Sequence, residues 1–325
     1  MTFNFLTIIQ DFIASVQDIS SVYYNNVQGT HESSALSALL TLFSPITYIF
    51  IPIGIINFEK MSIIQRFLWF VAFMLNCITV VMEGTNLGII RILLTTIICI
   101  TIHFSKGNFK ISKKQKSLIF ISLTLVVVLF NYNVSSRITK LGASTSVAFI
   151  DGNNILFKIF PENFKLAIVL ITSYLSQGYN GMNIALDYEW KPTFFLGNSM
   201  FIIGKLSEFG NEIYQKTYMF RANSVWSATQ TWHTAYTWFA NDVSFLGVGI
   251  IMFGLGFIIC QVYKDILETY NVISILIFPL LLIMILFLPM NNTILSNPLT
   301  FVPFVFYLFL FLATNYFKLK KREIK

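Results

Sequence analysis

Charged residues are scarce in this sequence. Asp, Glu, Lys and Arg make up only 11% of the 325 residues, whereas 55% are hydrophobic and 16% are aromatic. A soluble globular protein carries about 25% charged residues, so too little charge is present here to cover a surface in water. The composition excludes a soluble globular enzyme, a disordered chain and a nucleic-acid-binding module, and it predicts a membrane protein.

Cysteines and common catalytic motifs are also few or missing. The three cysteines, Cys77, Cys99 and Cys260, all lie inside apolar runs, which supports neither a disulfide framework nor a thiolate metal site. The sequence contains no H-E-x-x-H motif, no phosphate-binding loop and no Ser/His/Asp pattern. We therefore expect a function that uses no metal, no nucleotide and no other cofactor.

Long apolar runs dominate what remains. A helix needs about 20 mostly apolar residues to cross a membrane, and a helix satisfies its own backbone hydrogen bonds in lipid. The sequence thus predicts an all-α, polytopic membrane protein with about seven transmembrane helices. The predicted spans are residues 35–58, 62–82, 88–104, 117–131, 243–262, 272–290 and 299–317.

Basic residues predict the orientation of these spans. Thirteen Lys and Arg lie in the connections after the first, third and fifth spans and in the C-terminal tail. The short segments 1–34, 83–86 and 291–298 on the other side contain none. Positive charge marks the cytoplasmic face, so we expect a cytoplasmic C-terminus, an outer N-terminus and contact with anionic lipids. The net charge of +7 is then a topology signal.

One connection is much longer than the others. Residues 134–241, between the fourth and fifth spans, form a predicted outer loop that holds four of the five tryptophans. A loop of this length usually carries function. Its apolar stretch 166–174 is too short to span, so we expect a re-entrant or interfacial helix there. We expect one integral membrane domain over residues 1–325, and the start, which has no Lys or Arg, fits a chain that lacks N-terminal spans.

Three arginines are candidate ligands for an anionic group. Arg137 and Arg221 lie in the outer loop, and Arg91 lies near the outer end of the third span, with Glu83 as its nearest candidate partner. Guanidinium groups bind phosphate oxygens bidentately and stay charged. The alternatives are that Arg91 extends its side chain to the interface and that the loop arginines are only solvated.

Aromatic side chains and the first candidate general bases lie in, or directly after, the last part of the outer loop. Trp226 and Trp232, with Trp238 at the same spacing, form either an interfacial aromatic belt or a stacking platform for sugar rings. His233 is the first candidate for a general base, followed by Asp242 and then Glu83.

Two segments resemble a known family. The run SYLSQGYNGMNIALD at 173–187, followed by FFLGNSMF at 194–201, is similar to the signature of Wzy-type oligosaccharide repeat-unit polymerases of O-antigen and capsule synthesis. The run TWHTAYTWFANDVSFLGVG at 231–249 is similar to their outer segment, with Asp242 and two glycines in the matching places. The family usually has about ten to fourteen spans and an inner N-terminus, and it often carries a Gly-Ser/Thr-Arg element. Here that element reads Gly84-Thr85-Asn86.

The resemblance implies an inverting glycosyltransferase in the bacterial cytoplasmic membrane. Such an enzyme transfers the growing glycan from undecaprenyl pyrophosphate to the next lipid-linked repeat unit, alongside a flippase and a chain-length regulator. It implies that Tyr174, Gln177 and Tyr179 contact the substrate. The arginines would stabilise the leaving pyrophosphate. Two alternatives stay open, an O-antigen ligase and a transporter or flippase of lipid-linked sugars, beside a structural protein whose loop binds a partner.

Overall fold

The computed structural model describes residues 35–82, 86–106, 155, 162–227 and 231–323. All regular secondary structure in these residues is helical. The fourth predicted span, 117–131, lies outside them. The helices are α1 (Ala35–Leu42), α2 (Ser44–Asn57), α3 (Ile63–Met82), α4 (Asn86–Lys106), α5 (Glu162–Leu186), α6 (Met200–Lys205), α7 (Ser207–Lys216), α8 (Tyr218–Arg221), α9 (Ala235–Thr269), α10 (Val272–Phe287), α11 (Thr293–Ser296) and α12 (Pro298–Glu323).

The chain divides into two compact units. The first comprises Met1–Ser34 and Ile53–Leu170, and the second comprises Ala35–Pro52 and Ile171–Lys325. The unit boundaries fall inside α2 and inside α5.

In the first unit, α3 packs against α4. A 3₁₀ turn, Phe58–Lys60, precedes α3. Arg66 donates to the backbone carbonyls of Phe58 and Glu59, both at 3.0 Å, and so ties the turn to the first helical turns of α3. The indole of Trp69 lies directly against Gly54, where any Cβ would collide with it.

In the second unit, α10 forms the core. Most of its side chains are buried, with α9 packed on it and α12 packed beside it. The α1 helix also packs on α12. The buried Tyr307 of α12 donates its hydroxyl to the carbonyl of Pro45 at 2.6 Å, which fixes the beginning of α2.

Three helices are long and apolar enough to cross a membrane, judged over the described residues. They contain Leu87–Ser105, Ala235–Thr269 and Pro298–Tyr316, and two shorter apolar helices cover Ile63–Cys77 and Val272–Phe287. The prediction of a helical chain with membrane-length apolar helices is confirmed. Seven spans and an outer position for 134–241 stay predictions.

The first predicted span is not one continuous helix. The α1 helix ends at Leu42, and α2 begins at Ser44 with Pro45 in its first turn. Proline has no N–H to continue a helix that began earlier, but it is well suited to a first helical turn. The hydroxyl of Ser44 donates to the carbonyl of Thr41 at 2.7 Å and bridges the break.

The apolar stretch 166–174 is not a separate short helix. It belongs to the 25-residue α5, which continues through the polar run up to Leu186. Hydropathy missed this continuation because Ser, Gln, Asn and Gly interrupt the apolar pattern. The glycines sit where α5 touches other segments closely, so packing stabilises the helix where its composition does not.

Candidate functional site

The α9 helix begins with a largely buried segment, residues 235–243, before its long apolar part. The hydroxyl of Thr234 caps the helix by accepting from the backbone N–H of Thr237 at 3.2 Å. Asn241 and Asp242, near the end of this segment, are buried. Ser244 then breaks the helix with φ 61° and ψ 168°, a backbone conformation that only glycine adopts readily. The strained backbone at Ser244 lies where this buried segment meets the long apolar part of α9.

Asp242 is the anchor of the loop that runs from Thr193 to Asn198. One carboxylate oxygen accepts from the Thr193 hydroxyl at 2.5 Å and from the Gly197 backbone N–H at 3.0 Å. The other oxygen accepts from the Asn198 amide at 2.8 Å. Three donors hold the carboxylate in place, so the structure gives Asp242 a clear positioning role.

Asn241 connects two further segments to the same place. Its side-chain oxygen accepts from the backbone N–H of Tyr218, and its side-chain N–H donates to the carbonyl of Gly197, both at 2.9 Å. Its own carbonyl accepts from the Trp190 indole N–H at 2.9 Å. We call the buried pair and its hydrogen-bond partners the Asn241–Asp242 cluster.

The segment between α10 and α12 closes the other side of this cluster. Asn292 donates to the carbonyl of Asn198 at 2.6 Å, and Trp238 donates its indole N–H to the side-chain oxygen of Asn291 at 2.9 Å. The side-chain oxygens of Asn292 and Thr293 are buried without a hydrogen-bond partner. Polar atoms that remain unsatisfied at this depth require an explanation such as water or a ligand.

Arg221 ends α8 and is held by backbone carbonyls. Its Nη1 donates to the carbonyl of Glu189 at 2.6 Å, and its Nε donates to the carbonyl of Thr217 at 3.3 Å. The guanidinium carbon lies 4.9 Å from the ring centre of Tyr218 and 5.6 Å from that of Tyr188. Nη2 has no hydrogen-bond partner, and no carboxylate forms an ion pair with Arg221 among the described residues. Burial lowers the pKa of Arg221, and the two tyrosines and Glu189 offset part of this effect.

His233 lies in a second buried place, which we call the His233 pocket. The side chain is only 1% exposed, and burial lowers its pKa to about 4, although the carbonyls of Trp226 and Gly181 counteract this partly. The two carbonyls lie near the ring but form no hydrogen bond with it, and both ring nitrogens are buried without a hydrogen-bond partner. At neutral pH the imidazole is therefore uncharged and has an unused acceptor.

Aromatic side chains line the His233 pocket. The Trp226 indole donates to the carbonyl of Trp232 at 2.9 Å, and the Trp232 ring meets the Tyr174 ring edge-on with centres 4.8 Å apart. Tyr174 and Gly181 are seven residues apart on α5 and share one helix face. The structure thus brings together His233, Tyr174, Trp226 and Trp232, all of which are sequence candidates.

The other sequence candidates lie elsewhere. On α5, Gln177 is half-buried and Tyr179 is exposed. Arg91 is half-buried on α4, in the first unit. Glu83 and Arg137 lie outside the described residues. Among the described residues, no three His, Cys, Asp or Glu side chains are grouped as metal ligands.

The sequence did not indicate the residues that surround Asp242 and Arg221. Thr193, Asn198 and Asn241 bind or extend Asp242, and Tyr188 and Tyr218 flank Arg221. For the residues around Asp242, the one sequence signal was the adjacent pair Asn241 and Asp242, directly before an apolar run. Tyr188 had no signal because it lies 33 residues from Arg221, whereas Tyr218 lies only three residues before Arg221, in the same short helix.

The fold and these polar clusters define the class as a helical membrane protein with a structured polar assembly beside its apolar helices. No protein-family model, no curated protein and no solved structure matches the chain.

Proposed function

We propose that this chain is a membrane glycosyltransferase that polymerises undecaprenyl-pyrophosphate-linked oligosaccharide repeat units into capsular or O-antigen polysaccharide. The observation that carries the proposal is the arrangement of Arg221. The motif resemblance at 173–187 and 231–249 supports the same reading.

Arg221 has the properties of a preorganised pyrophosphate ligand. Two backbone carbonyls fix the guanidinium. Its remaining nitrogen, Nη2, is buried without a hydrogen-bond partner, and no ion pair with a described carboxylate neutralises the group. A fixed cation of this kind stabilises negative charge that develops on a leaving group, because it needs no reorganisation during the reaction. Transfer from a lipid pyrophosphate creates such charge, and the activated leaving group removes the need for a nucleotide.

The proposed mechanism depends less on a general base. His233, whose pKa burial lowers to about 4, is a weaker base than a group with a pKa near 7. Three hydrogen bonds already hold the carboxylate of Asp242 in the Asn241–Asp242 cluster. Glycosyl transfer passes through a transition state with oxocarbenium character, in which departure of the leaving group precedes full deprotonation of the acceptor. His233 remains the first candidate base, and Asp242 and Glu83 follow.

The aromatic residues fit the carbohydrate part of the substrate. The rings of Tyr174 and Trp232 meet, and the Trp226 indole is bound to the backbone of Trp232. Flat aromatic rings pack against the C–H faces of sugars. We assign glycan binding to this group, together with Gln177 and Tyr179 on the same helix. Arg91 and Arg137 are the further candidate ligands of the pyrophosphate.

The proposal includes a location. We place the chain in the bacterial cytoplasmic membrane with seven spans, a cytoplasmic C-terminus and residues 134–241 on the outer face. This orientation rests on the distribution of Lys and Arg. It gives the enzyme access to repeat units that a flippase has delivered, next to the regulator of chain length.

Replacing Arg221 tests the proposal in the native host. We expect Arg221→Ala to lower the amount of polymer about a hundredfold or more, the usual effect of removing one such charge donor. Single lipid-linked repeat units should accumulate instead. Arg221→Lys should restore only part of the polymer, because Lys keeps the charge but loses the fork. Gel analysis of extracted glycans measures both.

Lys205→Ala is the matched control, since Lys205 is exposed at the end of α6, and it should leave polymer unchanged. Polymer of normal amount and length in the Arg221→Ala strain would contradict the proposal. Accumulation of finished lipid-linked polymer would indicate a ligase, and repeat units trapped on the cytoplasmic face would indicate a transporter.

A further inference from the structure

Two adjacent phenylalanines, Phe194 and Phe195, form an exposed tip in the loop before α6. Their side chains are 69% and 70% exposed. Both residues adopt positive φ values, 54° and 65°, in the left-handed region that costs non-glycine residues free energy. Neighbouring large apolar side chains in this conformation, open to their surroundings, require an explanation beyond packing within the chain.

The loop holds this tip rigidly from both sides. Thr193 before it and Gly197 after it bind the same carboxylate oxygen of Asp242. The carbonyl of Thr193 accepts from the backbone N–H of Leu196 at 3.1 Å, and the Asn198 amide donates to the carbonyl of Phe195 at 3.3 Å. Because these bonds fix the backbone, the two rings are presented outward by construction.

The position of the tip follows from its anchor. Asp242 lies four residues before Leu246 in the sequence, with the break at Ser244 between them. From Leu246 onward, α9 exposes an apolar stripe whose first members are 93%, 77% and 78% exposed, namely Leu246, Ile250 and Phe253. A helix of this length and composition is expected to face lipid along such a stripe. The anchor of the tip therefore lies just before the end at which the exposed apolar stripe of α9 begins.

We propose that the Phe194–Phe195 tip inserts into the bilayer at the boundary between headgroups and acyl chains. The occupant of this surface is bilayer lipid, because the tip is fixed at the end of the lipid-facing stripe of α9, and aromatic residues favour this depth. The insertion sets the depth of the loop and of the Asn241–Asp242 cluster relative to the membrane. The inference does not depend on the proposed function.

Spin labelling in vesicles tests the insertion. Phe194→Cys and Phe195→Cys are made in the full chain with its three native cysteines replaced by Ala, labelled with a nitroxide, and reconstituted into vesicles of phosphatidylethanolamine and phosphatidylglycerol. Glu208→Cys on α7 is the exposed control. We expect the ratio of oxygen to nickel-chelate accessibility to exceed one at both tip positions and to stay below one at 208.

Two results would overturn the proposal. Ratios below one at the tip would show that it faces water, and low accessibility to both reagents would show that protein covers it. A second kind of variant keeps an aromatic ring at the tip, in case the cysteine substitutions disturb the loop. Phe194→Trp in the native chain should add tryptophan fluorescence relative to the native chain. Lipids brominated near the headgroup should quench this added fluorescence. Added fluorescence that these lipids do not quench would equally refute insertion.

Discussion

His233 shows how a single residue acquires properties that its sequence context does not indicate. The surrounding run suggested a loop histidine able to accept a proton, whereas the structure encloses the ring between Gly181 and Trp226. Burial there lowers its pKa to about 4. Neutral imidazole is then the form that fits the folded protein, and protonation opposes folding.

This predicts a pH-dependent stability. The ordinary pKa of 6.5 applies to the unfolded chain and about 4 to the folded chain, so the contribution of His233 is complete above pH 6.5. As the pH falls from 6.5 to 4, the unfolded chain binds a proton that the folded chain does not, and stability decreases by up to about 3 kcal/mol. Thermal unfolding in detergent across this range measures the loss.

His233→Gln supplies the comparison, since Gln does not titrate. The difference in unfolding temperature between the native chain and the variant should shrink or reverse as the pH drops from 7 to 4. A difference that stays constant over this range would show that His233 titrates alike in the folded and unfolded chains.

Arg221 and Asp242 illustrate the limit of residue-level prediction. Residue type alone indicated a phosphate ligand and an ionised carboxylate. The three partners of Asp242 lie 44 to 49 residues away in the sequence. The Glu189 carbonyl that binds Arg221 lies 32 residues away, so no local pattern specifies these contacts. The residue types can be read from the sequence, but the geometry depends on the fold, and the phosphate-ligand role of Arg221 stays a prediction.

At the scale of elements, α5 depends on two glycines along one face. A Cβ at Gly178 would collide with the carbonyl of Pro289 and lie 2.8 Å from that of Met290. The carbonyl of Gly178 accepts from the backbone N–H of Thr234 at 3.3 Å. A Cβ at Gly181 would meet side chains of the His233 pocket at 2.7–2.8 Å. Close approach therefore requires glycine at both positions.

Alanine substitutions should rank by what the new Cβ meets. Gly178→Ala should destabilise most, by about 3 kcal/mol, because backbone must move, and Gly181→Ala less, by about 1–2 kcal/mol, because side chains can shift. Gly204→Ala is the control, since nothing lies within 4 Å of its Cβ position. It should be neutral or stabilising by up to about 1 kcal/mol. Unfolding temperatures in detergent measure the order.

An equal loss of stability in all three alanine variants would contradict this prediction. It would show that close contact does not determine the effect of substituting these glycines.

Element prediction succeeded where apolar character alone determines a helix. The helices α3, α4, α10 and α12 lie at predicted spans, because a long apolar run has few alternatives. It failed where tertiary contacts extend a helix through polar sequence. The α9 helix begins at Ala235, well before the predicted start at 243, since its first turns are stabilised by buried polar contacts rather than by hydropathy.

At the scale of the whole molecule, orientation is the main open prediction. The account requires α7 and the C-terminal end of α9 to lie on opposite sides of the membrane, because α9 is long and apolar enough to cross it.

Cysteine labelling of intact cells examines this directly. In a chain whose native cysteines are replaced, Glu208→Cys should react with a membrane-impermeant maleimide, and Lys264→Cys should react only after the cells are opened. Both positions are exposed, so access depends on sidedness. Labelling of Lys264→Cys but not Glu208→Cys in intact cells would reverse the orientation and place the polar assembly in the cytoplasm.

The most direct measurement of the central claim is polymerisation by the purified chain. Single lipid-linked repeat units, extracted from cells that lack this gene, are incubated with the protein in vesicles without nucleotide sugars. The account predicts a ladder of longer lipid-linked glycans with the native chain and almost none with Arg221→Ala. Repeat units that remain single with the folded native chain, or a ladder equally strong with Arg221→Ala, would contradict it.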